Sequence, residues 1–244
     1  MPPSSALRRS NQNKILAALS GSESQRAVPE GERVELAQGD VIYDPEAEIR
    51  YVYFPETVVF SMLATMDDGS TVEVGPVGDE GLAGLRIFLG ADTSRYRVLV
   101  HVSGTAMRMS ADALRKELRD EQSVMPRLLL RYTQMLLAMT GQSSACNKLH
   151  TLEQQLARWL LMMHDYVGDE MQLTHELISL TLGVRRAGVS TAANDFRNAG
   201  LIDYRRGHIQ ILDQTGLVAV ACECYRNIKD EYDRLYADLP RLSM

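Results

Sequence analysis

Residues 173–213 read LTHELISLTLGVRRAGVSTAANDFRNAGLIDYRRGHIQILD. Thr174 is a good N-cap for a short helix, His175–Leu182, and Gly183 closes that helix because glycine tolerates a left-handed turn. A second helix is predicted from near Arg185 to about Asn198. Its apolar positions, Val189, Ala192 or Ala193, and Phe196, recur at spacings of three and four, and Ala199-Gly200 ends it. LIDYRRGHIQIL then reads as a hairpin with Arg205-Arg206-Gly207-His208 near its tip. Two short helices joined by a tight glycine turn and followed by a hairpin have the shape of a winged helix-turn-helix.

Such a unit places its second helix in the DNA major groove, where its N-terminal residues reach base edges. The outward face must be small or polar, with cations at its margins. Arg185, Arg186, Ser190, Thr191, Asn194 and Arg197 meet that requirement. Arginine can make two hydrogen bonds to guanine, and asparagine two to adenine. Thr174 and His175, at the head of the first helix, and Arg205, Arg206 and His208 on the wing complete the candidate contacts. The wing cations are suited to phosphates, which position a protein without carrying sequence information.

Upstream, TLEQQLARWLLMMHDYVG (151–168) is amphipathic, with Leu152, Leu156, Trp159, Leu160 and Met163 on one face. Before it, a helix is predicted over about Val124–Leu149. Met125, Leu128, Tyr132, Met135, Met139, Gln142, Cys146 and Leu149 step alternately by three and four, a heptad seam with one polar member. Two readings stay open, a core helix buried on two faces within one chain and a coiled coil that pairs two copies; the regular 3.5-residue period makes the pairing the expectation, with Gln142 fixing register. Leu129, Leu136 and Leu137 form a second stripe expected to pack on the N-terminal domain. SADALRKELRDEQ opens a further helix at a capping serine, Ser110. From about residue 33 to Ser110 the chain is rich in Val, Tyr, Phe and Thr, and turn signals break it at short intervals, among them Gln38-Gly39-Asp40 and Asp67-Asp68-Gly69. Short strands at this spacing predict an antiparallel sandwich or barrel. The expected fold class is α+β: an N-terminal antiparallel β-roll of the cupin-like jelly-roll type, a long dimerisation helix and a C-terminal winged helix-turn-helix. The domains divide as an N-terminal arm, 1–27, with one short helix near Asn13–Leu19; a β-roll, 28–122; the dimerisation helix, 123–149; and the DNA-binding domain with a C-terminal helix, 150–244.

Composition limits the alternatives. The chain has 244 residues, 45% hydrophobic and 24% charged, which is ordinary for a soluble protein. No apolar run is long enough for a membrane span and no secretory signal is evident, so a cytoplasmic location with no membrane partner is expected. A net charge of -6 excludes a protein that coats nucleic acid over its whole surface but leaves room for a local basic patch. An enzyme on a cupin-like roll would need a cluster of His and carboxylate ligands; only His101 lies in the strand region, so no enzymatic activity is expected.

In "ELAQGDVIY", "LEQQLARWLLMM" and the stretch quoted first, the chain resembles the Crp/Fnr family of bacterial transcription regulators over roughly residues 30–235. The resemblance implies a cyclic-nucleotide-binding-like roll, a parallel helix-pair homodimer and a winged helix reading a near-palindromic operator on double-stranded DNA. Two departures qualify it. Many members read bases with Arg-Glu-x-x-x-Arg; Arg186 matches the first Arg, but Ala187 and Thr191 stand at the other two positions. Members that bind cyclic AMP also carry a Gly-Glu turn and an Arg-Ser/Thr-Ala stretch. Here Glu80 is nearest the former, and Ser94, Arg95 and Tyr96 occupy the latter, where Tyr96 would obstruct a phosphate. Cyclic AMP is therefore not expected. Glu80, Arg95 and Arg97 remain candidates for another small-molecule effector, if there is one.

No cysteine precedes Cys146, so the N-terminal iron–sulfur pattern is missing, and no metal or cofactor is expected. Cys222 and Cys224 fall in VAVACECYRNIKDEY, read as one C-terminal helix on which they would point to different faces. Cys146 is expected to be a buried apolar residue, the alternative being a metal or redox pair with His150 one turn later. Two alternatives to a signal-modulated regulator stay open: a constitutive scaffold that binds DNA or contacts RNA polymerase, and a redox sensor through Cys146.

Overall fold

The structure is a computed structural model that describes residues 12–19 and 31–237. Seven antiparallel strands build the N-terminal roll: β1 (Gly31–Leu36), β2 (Val41–Tyr43), β3 (Tyr51–Pro55), β4 (Val59–Thr65), β5 (Thr71–Val77), β6 (Arg97–Val102) and β7 (Gly104–Ser110). They form two sheets, ordered β1-β7-β3 and β2-β6-β4-β5. The predicted turns are in place: Gly39 and Gly69 both take positive φ, and Asp68 Oδ1 accepts the Ser70 N–H at 2.9 Å. Val52, Phe54, Phe60, Val98, Val100 and Ala106 fill the space between the sheets.

Of the predicted N-terminal arm and its boundary with the roll, only residues 12–19 are described. They hold helix α1 (Lys14–Ala17), which is built into the roll. Ile15, Leu16 and Leu19 join the same apolar core. Asn13, fully buried, caps α1 through Oδ1, and its Nδ2 donates to the carbonyls of Pro55 and Gly81 at 3.0 and 2.8 Å.

After α2 (Ala111–Leu118), capped by Ser110, helix α3 (Met125–Leu149) runs as the spine of the molecule. Its heptad stripe does not face outward. Met125, Leu128, Tyr132 and Met135 are buried in the core of the roll, Met139 in a second core beneath the DNA-binding domain, and Cys146 against two other cysteines. Gln142 donates from Nε2 to Cys224 Sγ at 3.0 Å, and Leu149 is 76% exposed. The expected dimer seam is thus the inward face of the helix within one chain, because roll and C-terminal helix together cover it. Gly81 of the roll leaves room for Tyr132; a Cβ there would collide with the phenol ring. The second stripe splits. Leu129 is buried, Leu136 packs between the cores, and Leu137 is 70% exposed.

Helix α4 (Leu152–Val167) starts at a capping box formed by Thr151 and Gln154. The helix-turn-helix follows as α5 (His175–Leu182) and α6 (Arg186–Asn198). The wing has three strands, ordered β8 (Glu170–Gln172), β10 (His208–Ile211), β9 (Ile202–Arg205); β8 lacks a period long enough to be read from sequence. The expected single C-terminal helix is two, α7 (Gln214–Val220) and α8 (Cys224–Ala237), because the backbone turns extended at Ala221. Cys222 therefore lies off the helix, and the expectation that it and Cys224 point apart fails. Tyr232 and Leu235 carry α8 back along α3, where the Tyr232 hydroxyl lies 3.5 Å from Met139 Sδ.

The expected effector residues do not converge. Glu80 is fully buried, with Oε1 accepting the Gly78 N–H at 3.0 Å and the Tyr166 hydroxyl at 3.2 Å; Tyr166 in turn bonds to the Tyr232 hydroxyl. It is a link between the roll, α4 and α8. Arg95 and Arg97 lie on the surface, near Glu46 at 3.7 Å and Asp44 at 3.5 Å. The reason is spatial: the Glu80 turn lies beneath the helices while the two arginines lie outside the roll.

Burial pushes the Glu80 carboxyl up to about 7, with Asp79 adding to the shift and the Gly78 N–H opposing it. A carboxyl whose folded pKa exceeds its unfolded value contributes fully below the unfolded value and loses that contribution as pH rises through the folded one. Stability should therefore fall between about pH 4.5 and 7. Glu80→Gln, which retains the acceptor, is expected to flatten this fall and to stabilise the protein at pH 8 by up to about 3 kcal/mol, with little effect at pH 5, as read from urea unfolding at the two pH values.

Candidate nucleic-acid interface

Thr174 accepts the Leu177 N–H at 3.1 Å and so starts α5, and Gly183, at φ 64°, ends it. The left-handed turn is easy for glycine and costs other residues about 1 kcal/mol. It lets α6 depart in a new direction while Val189, Ala192, Ala193 and Phe196 pack into the core beside Ile178 and Leu182. Alanines at two of these positions keep α6 close to its support. The side chains opposite are left in solvent.

Two of the predicted contact residues serve a different purpose. The His175 ring stacks on Tyr204 of β9, with centroids 4.1 Å apart, and its Nδ1 lies 2.9 Å from Ser190 Oγ. The Ser190 hydroxyl donates to the Arg186 carbonyl at 3.0 Å. With that proton committed, His175 Nδ1 is the donor to Ser190. Burial, helped by the charge of Arg186, holds the imidazole below its ordinary pKa and so favours this neutral form. His175 and Ser190 thus bracket α6 between α5 and the wing, with the Ser190 hydroxyl engaged on both sides.

The exposed face of α6 carries the rest. Arg185, at its N-cap, and Arg186, Thr191, Asn194 and Arg197 are all exposed. Arg186 Nε stands 4.0 Å from Glu176 Oε2, a weak tether for a side chain 69% exposed. The Thr191 hydroxyl donates to the Ala187 carbonyl at 3.1 Å, leaving its methyl outward. Ala187, Thr191, Asn194 and Asn198 form one exposed file along the helix. Asn198, which the sequence reading did not single out, lies one turn beyond Asn194 on this file.

The wing is anchored to the same support. The Leu173 N–H donates to the Gly207 carbonyl at 2.8 Å, which ties the hairpin tip to the start of α5. Arg206 and Gly207 form the tip with φ of 51° and 82°, the paired left-handed geometry of a tight hairpin. Arg206 and His208 are exposed, and Arg205 pairs with Asp203 at 3.0 Å. Arg185, Arg186, Arg197, Arg205 and Arg206 therefore supply a local basic margin in a chain of net charge -6. Small and polar groups between cationic flanks suit base edges and phosphates, respectively.

The cysteines gather elsewhere, at the far end of α3, and all three are buried as free thiols. Burial pushes the Cys146 thiol up to about 12, against the opposing charge of Arg158.

Residues 154–220 match the family model of the Crp-like helix-turn-helix domain. No curated protein matches the chain. Among solved structures, the chain is similar to FixK2 from Bradyrhizobium japonicum, at 17% identity and a TM-score of 0.68 over 79% of this chain and 98% of that one. It is also similar to a CRP-family transcriptional regulator from Thermus thermophilus, at 20% identity and a TM-score of 0.66 over 78% and 96%. A third is the c-di-GMP-responsive global regulator CLP of Xanthomonas campestris, at 14% identity and a TM-score of 0.62 over 79% and 99%. At such identities the structures speak for the shared fold, and the domain match speaks for the helix-turn-helix. Residues 154–220 are therefore a Crp-like helix-turn-helix domain, and the α+β fold around it is the one shared with these regulators.

Proposed function

We propose that the protein is a homodimeric, sequence-specific DNA-binding regulator that reads a near-palindromic operator through α6 and grips phosphates through the wing. The observation that carries this reading is the exposed file Ala187, Thr191, Asn194 and Asn198, headed by Arg186, on a helix whose opposite face is locked by His175, Ser190 and the apolar core. Arg186 and Asn194 on this file can each make paired hydrogen bonds to a base. With Ala187 and Thr191 at the positions where many members have Glu and Arg, the half-site should differ from the family's usual one.

Sites selected from random DNA should be palindromic, with half-site centres about one helical turn apart. Arg186→Ala should cost roughly 1–3 kcal/mol against the preferred site and relax specificity at one base pair per half-site. Arg206→Ala should instead lower the slope of log affinity against log salt by about one and leave the sequence preference unchanged. Selection of no common sequence, or loss of only nonspecific affinity in Arg186→Ala, would overturn the base-reading role.

The dimer in this proposal uses the outward face of α3. Arg127, Leu130, Gln134, Leu137, Gly141, Ser144 and Lys148 step alternately by three and four, and all are exposed. Leu130 and Leu137 are 60% and 70% exposed, unusual for leucines on a helix otherwise buried in its own chain. Gly141 and Ser144 would let two helices approach closely, and a sustained seven-residue step keeps one face toward a partner helix. Leu130→Glu together with Leu137→Glu should yield a folded monomer in sedimentation experiments and abolish tight binding to the full palindrome. A dimer unchanged by both substitutions would rule out this face.

A further inference from the structure

Three thiols and an imidazole converge where the end of α3 meets the corner between α7 and α8. Cys146 and His150 stand one turn apart, His150 being the residue that closes α3. Cys222 lies in the break between α7 and α8, and Cys224 begins α8. The four potential ligand atoms all lie within 4.8 Å of one another. Cys146 Sγ is 3.5 Å from Cys222 Sγ, and Cys224 Sγ is 3.5 Å from His150 Nδ1. A tetrahedral ion with metal–sulfur bonds of about 2.3 Å and a metal–nitrogen bond of about 2.0 Å holds its ligands roughly 3.5–3.8 Å apart. The sites are thus spaced for one ion with little adjustment, and three sulfurs with one nitrogen are a set that suits zinc.

The surroundings favour the same occupant. His150 turns its other ring nitrogen, Nε2, to Glu223 Oε2 at 3.4 Å. A carboxylate behind a histidine is the usual device that sets the ring's orientation and tautomer for a metal. Gln142 donates its Nε2–H to Cys224 Sγ at 3.0 Å. Arg158, only 5% exposed, lies near enough for its charge to act on Cys146. Three thiolates around a divalent ion leave one net negative charge, which this guanidinium would balance. Burial of all three cysteines shields the site from solvent.

We propose that Cys146, His150, Cys222 and Cys224 bind one zinc ion, which fastens the C-terminal helix α8 to the end of the spine helix α3. On binding, each thiol gives up its proton to solvent and the sulfur lone pairs form the bonds to the metal, with no change of oxidation state. The ion would join the outward dimer helix to the last helix described. The inference is independent of the DNA-binding reading, since it stands on ligand geometry alone.

The test uses the full chain, purified reduced and without chelator. Elemental analysis should find one zinc per protomer. After removal of zinc, cobalt(II) should bind at one equivalent with the intense visible bands of a tetrahedral thiolate-rich site, and restored metal should raise the melting temperature. Cys222→Ser and Cys224→Ser should lose stoichiometric metal. Glu223→Gln keeps every ligand and should weaken cobalt binding by about tenfold or more, which keeps the idea testable if the cysteine variants fail to fold. Reduced wild-type protein with neither metal nor cobalt bands would overturn the proposal. So would iron accompanied by inorganic sulfide, or metal retained in full by both cysteine variants.

Discussion

The burial of α3 along one side within its own chain governs the rest of the structure. Met125, Leu128, Tyr132 and Met135 are held by the roll, Met139 by the second core, and Cys146 by the corner after α7. A helix covered in this way has only its opposite side to offer a partner. That side carries two exposed leucines among small and polar residues, so it is narrow. The same inward face sets the position of the roll against the DNA-binding domain, because both rest on one rod. The buried Glu80, bonded to Tyr166 of α4 and near the Tyr232 hydroxyl, is a polar connection between these bodies.

At the DNA-binding end, rigidity and exposure are divided between the two sides of α6. Val189, Ala192, Ala193 and Phe196 anchor one side, and His175 and Ser190 fix its rotation through a hydrogen bond and a ring stack. Cations at the margins and small side chains along the middle are then presented in a defined orientation. This explains how an acidic chain can carry a nucleic-acid surface: attraction to phosphate depends on the charges nearest the duplex, since salt screens the more distant ones.

Much of this was legible from residues alone where the governing interaction is local. The N-caps at Ser110, Thr151 and Thr174, the glycine turn at Gly183 and the apolar positions of α6 all depend on neighbours within a few residues. What was not legible depended on partners far along the chain. Strand β8 has only three residues and exists because β10 lies beside it. Ser190 has the size and polarity of a base-reading residue, but His175 occupies its hydroxyl. Cys222 and Cys224 share one helical reading in sequence, yet the break at Ala221 turns them toward Cys146 and His150.

The sequence by itself determined the α+β class, the order of roll, spine and winged helix-turn-helix, and which helix presents small polar residues beside arginines. These follow from periodicity, capping and turn chemistry, which act over one or two turns of chain. Only the tertiary structure decided which of two heptad stripes on α3 faces inward, where the effector candidates lie, and that three scattered cysteines and a histidine meet. A helical period records that a face is apolar, but it does not say whether that face meets its own chain or another; that depends on which surfaces remain uncovered once every other element has packed.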